Sequence, residues 1–413
     1  MKKLVFALLA LCAFASCDNG DDIPRKKDRT DIPLTKSEQA LADAGNDFAF
    51  SLFRRVSSSH AQPSNIILSP ISVNYMMSML NNGATGKTAE EISRVLGFGD
   101  SKPEEINAYN QKMIVASADL DPQVTVHTAN SIWVRDGINI LPAFRESNES
   151  YYKASVRNLD FSKPDALKQI NGWTSKNTDG RIPEILDKVN PNACIYLLNA
   201  IAFRGEWSTP FEKSDTNKDI FTDAQGREQE VQMMNASFQG IVCEHEKFRM
   251  LSRSYGNGAF SMSILLPDEG VTNAEVIALL NVQSWKQLPQ NRNGYQIHLK
   301  LPRFAASYDI NLNDVLQSLG IVSAFSSDAA DFSKLSTTRI FLSRALQKAR
   351  IEVDEEGTKA ETVTLGEGWA SSPGPRPEMQ KMDFFVNRPF IYLISEYSTG
   401  AIYFIGEVNQ IKF

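Results

Sequence analysis

Beyond residue 35, the first clear pattern of apolar and polar positions is helical. Between residues 41 and 52 an apolar side chain returns every third or fourth position, which places these side chains on one face of a helix. Ser37 stands just before this run and is a residue type that caps helices. The pattern therefore predicts an amphipathic helix whose apolar face packs on a core.

Further helices are indicated by start signals and by periodicity. Ser69 followed by Pro70 has the order of a cap and a first helical residue. Residues 88–91, TAEE, have the spacing of a capping box and predict another helix start. Helices are also expected around residues 165–177 and 311–319.

Strand patterns fill much of the remaining chain. Residues 195–203 (IYLLNAIAF) are almost continuously apolar, as in a strand covered on both faces. Residues 295–301 alternate between apolar and polar, and the C-terminal runs 390–395 and 401–408 read as a hairpin. Mixed helices and strands without a regular βαβ rhythm predict an α+β fold. We find no linker or repeat and predict one domain over residues 36–413.

Composition narrows the class of protein. The chain has 413 residues, of which 42% are hydrophobic and 22% charged, as in an ordinary globular protein. Its formal net charge of −6 gives no basic surface, so nucleic-acid binding is not expected. No apolar run after residue 20 is long enough to cross a bilayer.

The N-terminus has the pattern of an export signal. Two lysines precede an apolar stretch that ends in FASC, so residues 1–16 are predicted to be a signal peptide. FASC resembles a bacterial lipobox, apart from Phe14 where a smaller aliphatic residue is usual, and makes Cys17 the predicted lipidation site. Residues 17–35 are polar and charged and would form a tether. We expect an outer-membrane lipoprotein of the bacterial cell envelope, surface-exposed if the acidic DNGDD acts as an export signal, and otherwise a secreted protein. The only membrane contact expected is through the lipid.

Candidate catalytic chemistry is sparse. The chain lacks a G-x-S-x-G motif, and none of its four histidines has metal-ligand spacing: His60, His127, His245 and His298. Cys243 and His245 lie two apart in a predicted strand, where such residues are usually only neighbours on one face. Cys194 and Cys243 are expected to be buried free thiols. We therefore predict no enzyme activity, no metal and no cofactor.

An unusual stretch lies between two apolar strands near the C-terminus, at residues 354–385. If residues 358–369 form a strand, one face is uniformly small: Thr358, Ala360, Thr362, Thr364, Gly366 and Gly368. The other face, which we expect to lie in water, carries every charge and every large side chain: Lys359, Glu361, Val363, Leu365, Glu367 and Trp369. Such a segment could enter a sheet with its small face over a packed interior, because a one-residue slip would bury its charges.

The sequence VDEEGTKAETVT within this stretch resembles the hinge of a serpin reactive loop. Other serpin signatures occur in the family's order, including NIILSPISV, LLNAIAFRGEW, NRPFIYLI and IYFIGEV. The resemblance spans nearly the whole predicted domain. It implies a fold of three β-sheets and about eight or nine helices, with an exposed reactive-centre loop at about residues 355–384.

This resemblance also implies a function. Serpins act as suicide substrates: a target protease cleaves the loop, and the freed N-terminal half inserts as a strand in the central sheet while the acyl-enzyme is trapped. The expected partner is an extracellular serine protease, with papain-like cysteine proteases also open, and the expected state is a monomer. The alternative is a non-inhibitory serpin that acts as a binding or chaperone-like protein.

Particular positions match the family's functional residues. The implied hinge consists of Glu355, Gly357, Thr358, Ala360, Thr362 and Thr364. The implied shutter beneath the opening sheet contains Ser69, Ser72 and Asn199, and Trp207 matches the tryptophan at the top of that sheet, the breach. Gln347 stands where the family's shutter usually has histidine, so pH dependence from that site should be absent.

Three prolines limit where the loop can be cut. Pro373, Pro375 and Pro377 lack amide donors and would interrupt an inserted strand. Cleavage is therefore favoured among Trp369, Ala370, Ser371 and Ser372, although counting back from NRPF gives Glu378 and Met379 as the alternative. Small or aromatic residues at the favoured site predict an elastase-like or chymotrypsin-like target.

Overall fold

Nine α-helices lie in the part of the chain that the computed structural model describes, residues 28–60, 62–358 and 379–412. The helices are α1 Lys36–Ser57, α2 Pro70–Asn81, α3 Gly86–Leu96, α4 Pro103–Asp119, α5 Pro142–Tyr152, α6 Ala166–Asn177, α7 Asn273–Leu279, α8 Val282–Gln287 and α9 Asn313–Leu319. The helices predicted near residues 165–177 and 311–319 are confirmed as α6 and α9.

Fifteen strands accompany these helices in the described residues. They are β1 Ile66–Leu68, β2 Val124–Arg135, β3 Ser155–Leu159, β4 Ile195–Glu206, β5 Asn217–Thr222, β6 Glu228–Glu244, β7 Phe248–Tyr255, β8 Phe260–Pro267, β9 Arg292–Pro302, β10 Phe304–Asn311, β11 Leu342–Val353, β12 Gly357–Thr358, β13 Lys381–Phe385, β14 Phe390–Glu396 and β15 Ile402–Val408. The buried strand predicted at residues 195–203 is confirmed as β4. The predicted C-terminal hairpin is confirmed as the antiparallel pair β14–β15.

The first predicted helix forms, but its predicted cap is wrong. Thr35, not Ser37, caps α1, since its Oγ1 accepts from the Glu38 amide at 3.2 Å and its own amide donates to the Glu38 carboxylate at 2.7 Å. Ser37 is already the second helical residue. The chain therefore enters α1 through a reciprocal capping box that begins two residues earlier than predicted.

The capping box predicted from TAEE is also wrong. Helix α3 begins at Gly86, so Thr88 lies inside it. The Thr88 hydroxyl accepts from the Asp331 amide at 3.0 Å, and the Glu91 carboxylate accepts from the amides of Val322 and Ser323 at 2.8 and 2.7 Å. These side chains satisfy buried amides of a distant loop, which local spacing cannot reveal.

A six-stranded sheet forms the centre of the fold. Its order is β10-β11-β4-β2-β3, with the two-residue β12 also paired to β4. Strands β4 and β11 are parallel, with Leu342 level with Ile195 and Arg350 level with Ala202. The long stretch of chain between β4 and β11 is the crossover connection that a parallel pair requires.

The remaining nine strands form one hydrogen-bonded assembly that divides naturally in two. Its order is β1-β15-β14-β8-β7-β6-β9-β13, with β5 paired to β6. The long strand β6 pairs with β9 from Met233 to Cys243 but with β7 only from Val242 to Glu244. Because this short ladder alone joins the two parts, the described residues show the three sheets that were expected, and the α+β class is confirmed.

Apolar packing occurs on both faces of the six-stranded sheet. The inner face contributes to the main core, including Leu197, Ile201 and Phe203 of β4. On the outer face, α6 and the segment after it cover a second cluster that contains Tyr196, Leu198 and Leu346, among others. The sheet is therefore covered on both faces over its lower half, which is the half that contains the start of β4. This explains the nearly continuous apolar run of β4.

Candidate functional site

The predicted hinge begins as a short strand on the edge of β4 that also carries β11. Gly357 pairs with Glu206 and Thr358 with Gly205, antiparallel to β4. The β4–β11 ladder ends lower down, at Ala202 and Arg350. The two residues of β12 therefore already occupy the upper end of the β4 edge, above the point where β4 and β11 pair directly.

Gly357 fits this position because it lacks a side chain. Its φ of +145° favours glycine, and a Cβ built on it would lie 2.1 Å from the Gly205 carbonyl oxygen. Such a contact is far inside van der Waals range. The close approach of the hinge backbone to β4 therefore depends on glycine here.

Thr358 is the first hinge side chain that points into the protein. It is fully buried, and its Oγ1 lies 2.9 Å from the Tyr255 hydroxyl. The Tyr255 ring stacks on Trp207, with centroids 4.4 Å apart and planes 9° from parallel. Burial raises the pKa of Tyr255, so its hydroxyl stays neutral and available to the threonine.

A tight turn centred on Asp354 leads into the hinge. The Trp207 indole donates to the Asp354 carbonyl at 3.0 Å, and the Asp354 amide donates to the Gly357 carbonyl at 2.8 Å. The Asp354 carboxylate accepts from the amides of Glu356 and Gly357 at 3.0 and 3.2 Å. Burial raises the pKa of Asp354 and outweighs these amides. Trp207, predicted for the breach, thus directly supports the turn.

Glu355 connects this turn to Arg303, between β9 and β10, and to Thr216, just before β5. Its carboxylate accepts from Arg303 at 2.8 Å (Nε) and 2.6 Å (Nη2), and also from the Thr216 hydroxyl. Burial alone would raise the pKa of Glu355, but the hydrogen bonds from Arg303 and Thr216 hold it below its usual range. The Glu355 carbonyl also accepts from the Phe211 amide at 2.8 Å. The hinge is therefore anchored by a mostly buried ion pair.

An aromatic group surrounds Arg253 below the breach. The guanidinium lies 5.8, 4.9 and 4.8 Å from the ring centres of Trp207, Phe211 and Phe238, respectively. It donates to the Thr209 carbonyl at 2.5 Å, and burial lowers its pKa to about 10. The Trp207 indole is thus held between a cation and the Tyr255 ring.

The predicted shutter residues meet in one buried hydrogen-bond network. Gln347 Oε1 accepts from the Ser69 amide at 3.0 Å, and its Nε2 donates to the Ser69 carbonyl at 2.9 Å and to Asn199 Oδ1 at 3.2 Å. Asn199 Nδ2 donates to Ser72 Oγ at 2.6 Å and to Asn130 Oδ1 at 2.9 Å. This network joins α2 to β4, β11 and β2.

Two details of the shutter were not predicted. The Ser69 side chain makes no capping hydrogen bond, although Ser69 stands at the cap position of α2. Asn130 was missed, because a lone asparagine in an apolar strand carries no local signal. Its part in the network follows only from the antiparallel pairing of Asn130 with Asn199.

The outward faces of β4 and β11 change in exposure from the top of their ladder, at Ala202 and Arg350, to the bottom, at Ile195 and Leu342. The upper rows contain charged residues that are at least partly exposed, namely Arg204, Arg350 and Glu352. Lower rows contain Leu198 and Leu346, which are 0% and 6% exposed beneath α6. The expectation that the charged face of the loop lies in water concerns residues 359–369, which lie outside the described part of the chain, so it stays a prediction.

Several predicted residues lie outside the described part of the chain. They are the lipidation site Cys17, the hinge residues Ala360, Thr362 and Thr364, and the cleavage candidates Trp369, Ala370, Ser371, Ser372 and Glu378. Met379, the other cleavage candidate, lies just before β13, and its side chain is near Gly294. The scissile bond therefore stays a prediction from sequence.

The remaining candidate chemistry is structural. Cys194 and Cys243 are buried free cysteines, as predicted, and burial raises the pKa of Cys243. His245 stacks on Phe248 with ring centroids 4.6 Å apart. Within residues 28–60, 62–358 and 379–412, no cluster of three His, Cys, Asp or Glu side chains could hold a metal ion. Among the helices described, none has the length and apolarity needed to cross a bilayer.

The comparisons with known proteins agree with this geometry. The chain matches the family model "Serpin (serine protease inhibitor)" over residues 43–411. It is 32% identical to leukocyte elastase inhibitor A of Rattus norvegicus, covering 90% of this chain and 99% of the relative. Native tengpin, a thermophilic serpin, superposes with a TM-score of 0.82 at 31% identity, covering 93% of this chain and 97% of tengpin.

Human thyroxine-binding globulin in complex with its hormone also has this fold. It superposes with a TM-score of 0.82 at 27% identity, covering 91% of this chain and all of the globulin. The described fold, the family match over residues 43–411 and these relatives lead to one conclusion: the chain belongs to the serpin family.

Proposed function

We propose that this serpin is a suicide-substrate inhibitor of extracellular proteases, which traps the acyl-enzyme by inserting its cleaved loop between β4 and β11. The observation that carries the proposal is the position of β12. Gly357 and Thr358 already pair with the upper edge of β4, on the side where β11 pairs lower down. Continued insertion would extend this antiparallel ladder along β4 and separate β4 from β11 where they now pair.

The register of β12 defines how a longer inserted strand would lie. Each step along the loop from Thr358 moves one step back along β4 from Gly205. Ala360 would then lie level with Phe203, Thr362 with Ile201 and Thr364 with Asn199 of the shutter. Residues directly opposite on antiparallel strands share a face. The small loop side chains would therefore lie beside the inward-facing side chains of β4.

The same register limits the length of the insertion. Ile195, the first residue of β4, would lie level with Gly368. The favoured cleavage sites Trp369 to Ser372 follow directly, and Pro373 comes after them. A cut in this range would release a segment that fills the β4 edge without bringing a proline into the sheet.

Insertion would exchange one ladder for two. The direct β4–β11 ladder would be lost, and the loop strand would pair with both neighbours. About ten added backbone hydrogen bonds at about 1 kcal/mol each would favour the inserted state by roughly 10 kcal/mol. In the inserted state the loop strand would lie antiparallel to both β4 and β11, which run in the same direction. The pairing of β12 with β4 is the start of this arrangement.

The target class rests on the cleavage candidates and on the relatives. Trp369, Ala370, Ser371 and Ser372 suit a chymotrypsin-like or elastase-like protease, and the rat relative is a leukocyte elastase inhibitor. Arg376 is a poor trypsin site, since Pro377 follows it. Papain-like cysteine proteases are the second target class, because they also form an acyl-enzyme.

The test is to incubate the domain with pancreatic elastase, neutrophil elastase, chymotrypsin, trypsin, subtilisin and papain. A band at the summed mass on a denaturing gel, with a released peptide that begins at Ala370, Ser371 or Ser372, is the expected result. A peptide that begins at Met379 would move the scissile bond to the alternative site. Cleavage by all these proteases without such a band would favour a binding protein, as thyroxine-binding globulin is by its name.

A second part of the proposal concerns location. Lipidation of Cys17 would hold the domain at the bacterial outer membrane, with residues 17–35 as the tether and no other membrane contact. The described part of this segment contacts the domain: the Ile32 amide donates to Ser398 Oγ at 2.9 Å, and Arg29 lies over the Tyr397 ring at 3.8 Å. These contacts support a tether that leaves the domain at a defined place. Labelling of the wild-type chain but not of Cys17→Ser with a fatty-acid probe is expected. Protease treatment of intact cells would then show whether the domain faces outward.

A further inference from the structure

A cavity of about 240 Å³ lies where β4 and β11 begin. Its lining comes from the segment before β4, from β4 itself and from the first residues of β11, and includes Lys188, Asn190, Tyr196, Ser343 and Arg344. A water molecule needs only about 10–15 Å³ of such a space. The cavity can therefore hold a small molecule of several non-hydrogen atoms.

A bulge in β11 brings Arg344 to this cavity. Leu342 lies level with Ile195, and its side chain packs in the main core. Arg344 lies level with Tyr196, which belongs to the second apolar cluster on the outer face. Residues two apart in a regular strand share a face, so the extra residue at the bulge, Ser343, is what turns Arg344 outward.

Hydrogen bonds from two neighbouring elements hold the bulge. Ser343 Oγ accepts from the Cys194 amide at 2.8 Å, and the Ser343 carbonyl accepts from Asn313 Nδ2 at 2.9 Å. Asn313 Oδ1 in turn accepts from the Ala345 amide at 2.9 Å. The backbone on both sides of Arg344 is therefore fixed before any ligand binds, which lowers the entropic cost of binding.

Two hydroxyl groups at the cavity keep a proton to donate. The Tyr196 hydroxyl accepts from the Asn190 amide at 2.6 Å, and the Ser343 hydroxyl accepts from the Cys194 amide. A hydroxyl has one proton and two lone pairs, so each group can still donate to a further acceptor. Because Tyr196 is only 2% exposed, the cavity is a space in which an acceptor for its proton can lie.

Two cations complete the lining. Arg344 Nη1 is 3.7 Å from the Asp187 carboxylate, a long contact to a side chain that is 72% exposed and therefore a weak ion pair. A backbone hydrogen bond and then the charges of Arg344 and Lys188 lower the pKa of Asp187, so both cations lie near the same carboxylate. From β2, Arg135 brings a further cation to this end of the sheet and donates to the Asn192 carbonyl at 3.1 Å.

We propose that this cavity binds a multivalent oxyanion, a phosphate or polycarboxylate group, between the cations Lys188 and Arg344 and the hydroxyls of Tyr196 and Ser343. The guanidinium fork suits either group, and together with Lys188 it outweighs the single exposed charge of Asp187. A bound anion joins the start of β11 to β4 and to the segment before β4. It therefore stabilises the lower end of the six-stranded sheet. This ligand site does not depend on protease inhibition.

The test is calorimetric titration of the full mature chain with inorganic phosphate and with citrate, at an ionic strength held constant with sodium chloride. At least one of the two anions should bind at one site with a Kd of about 1 mM or lower, and the tighter one identifies the ligand class. Arg344→Gln and Lys188→Gln should each weaken binding about tenfold. Lys36→Gln is the control, since it removes an exposed lysine at the start of α1 and should bind like wild type.

Amide hydrogen exchange locates the bound anion. At ten times the Kd, exchange in residues 188–196 and 342–346 of wild type should slow by up to about tenfold, because opening these segments releases the anion. The same anion concentration should have little effect in Arg344→Gln, and unchanged exchange elsewhere shows that this variant is folded. The proposal is wrong if neither anion binds, if both cavity variants bind as tightly as Lys36→Gln, or if the protection lies in other segments.

Discussion

The Thr358 hydroxyl lies 2.9 Å from the Tyr255 hydroxyl, and both residues are fully buried at the top of the six-stranded sheet. This contact joins the first inward side chain of the hinge to the aromatic stack of Tyr255 on Trp207. Nothing in the local sequence of either residue indicates the other. The start of the loop is thus fixed by a contact that spans the fold, and loop insertion would have to begin from it.

A charged side chain at position 358 should leave cleavage of the loop intact but prevent trapping of the protease. Thr358→Arg would place a guanidinium against Tyr255, and burying an unpaired charge costs several kcal/mol, roughly 3–5. The variant should still be cut by the target protease but form little denaturant-resistant complex. Lys359→Arg is the control, since Lys359 is predicted to face outward and should trap like wild type. Equal trapping by Thr358→Arg and wild type on a denaturing gel would contradict insertion past this point.

Gly357 should be far less replaceable than an ordinary turn glycine. Gly357→Ala adds a Cβ that would lie 2.1 Å from the Gly205 carbonyl oxygen, whereas a Cβ added at Gly270, also at positive φ, would meet no atom within 4 Å. Gly357→Ala should therefore lower the free energy of unfolding by about 2–4 kcal/mol more than Gly270→Ala. Denaturant titration of both variants measures the difference. Equal losses would show that backbone strain, and not the contact with β4, accounts for the glycine.

Gln347→His should create a pH dependence that wild type lacks at the shutter. Gln347 is 1% exposed, so a histidine there would have its pKa lowered by burial below the unfolded value of about 6.5. A group with a lowered histidine pKa contributes stability above the unfolded pKa and loses it as the pH falls. The difference in unfolding free energy between variant and wild type should thus be small at pH 8 and grow below about pH 6. A difference that does not change between pH 8 and pH 5 would contradict this prediction.

Glu355→Gln should weaken the hinge in a pH-dependent way. Hydrogen bonds from Arg303 and Thr216 outweigh burial and hold the pKa of Glu355 below its usual range. Its contribution is therefore present above the unfolded pKa and is lost as the pH falls through the folded pKa. Wild type should exceed the variant by about 2 kcal/mol at pH 7, and the difference should shrink below about pH 4.

The control for this experiment is Glu246→Gln, an exposed carboxylate in the turn after β6. It should leave the unfolding free energy unchanged across the same pH range. Asp354, whose pKa is raised by burial, acts with the opposite sign: its contribution is greatest at low pH and falls as the pH rises. Comparing Glu355→Gln with wild type removes only part of this background, because the charge of Glu355 is one of the causes that raise the pKa of Asp354.

Several strands and five of the nine described helices followed from local patterns. The run at residues 195–203 and the C-terminal hairpin were predictable because burial on two faces, or alternation around a short turn, leaves a direct trace in sequence. The caps were less predictable. Thr88 and Glu91 have the spacing of a capping box but bind amides of a distant loop, and only the folded chain distinguishes these two uses of the same spacing.

The site residues also divide into those that a local sequence pattern indicates and those that only a long-range contact reveals. Glu355, Gly357 and Trp207 could be named because serpin signatures surround them. Arg303, Tyr255 and Asn130 were missed, since each acts through a partner at least 52 positions away in the chain. A long-range contact of this kind leaves no local period or spacing.

The sequence alone determined that residues 358–369 have one small face and one charged or large face, because side-chain alternation is a local property of an extended chain. Only the tertiary structure decided where the described start of this segment, Gly357 and Thr358, joins the six-stranded sheet. That position depends on the pairing of β12 with Gly205 and Glu206 and on the glycine that permits it, because these contacts join residues about 150 positions apart and form only once the sheet has formed.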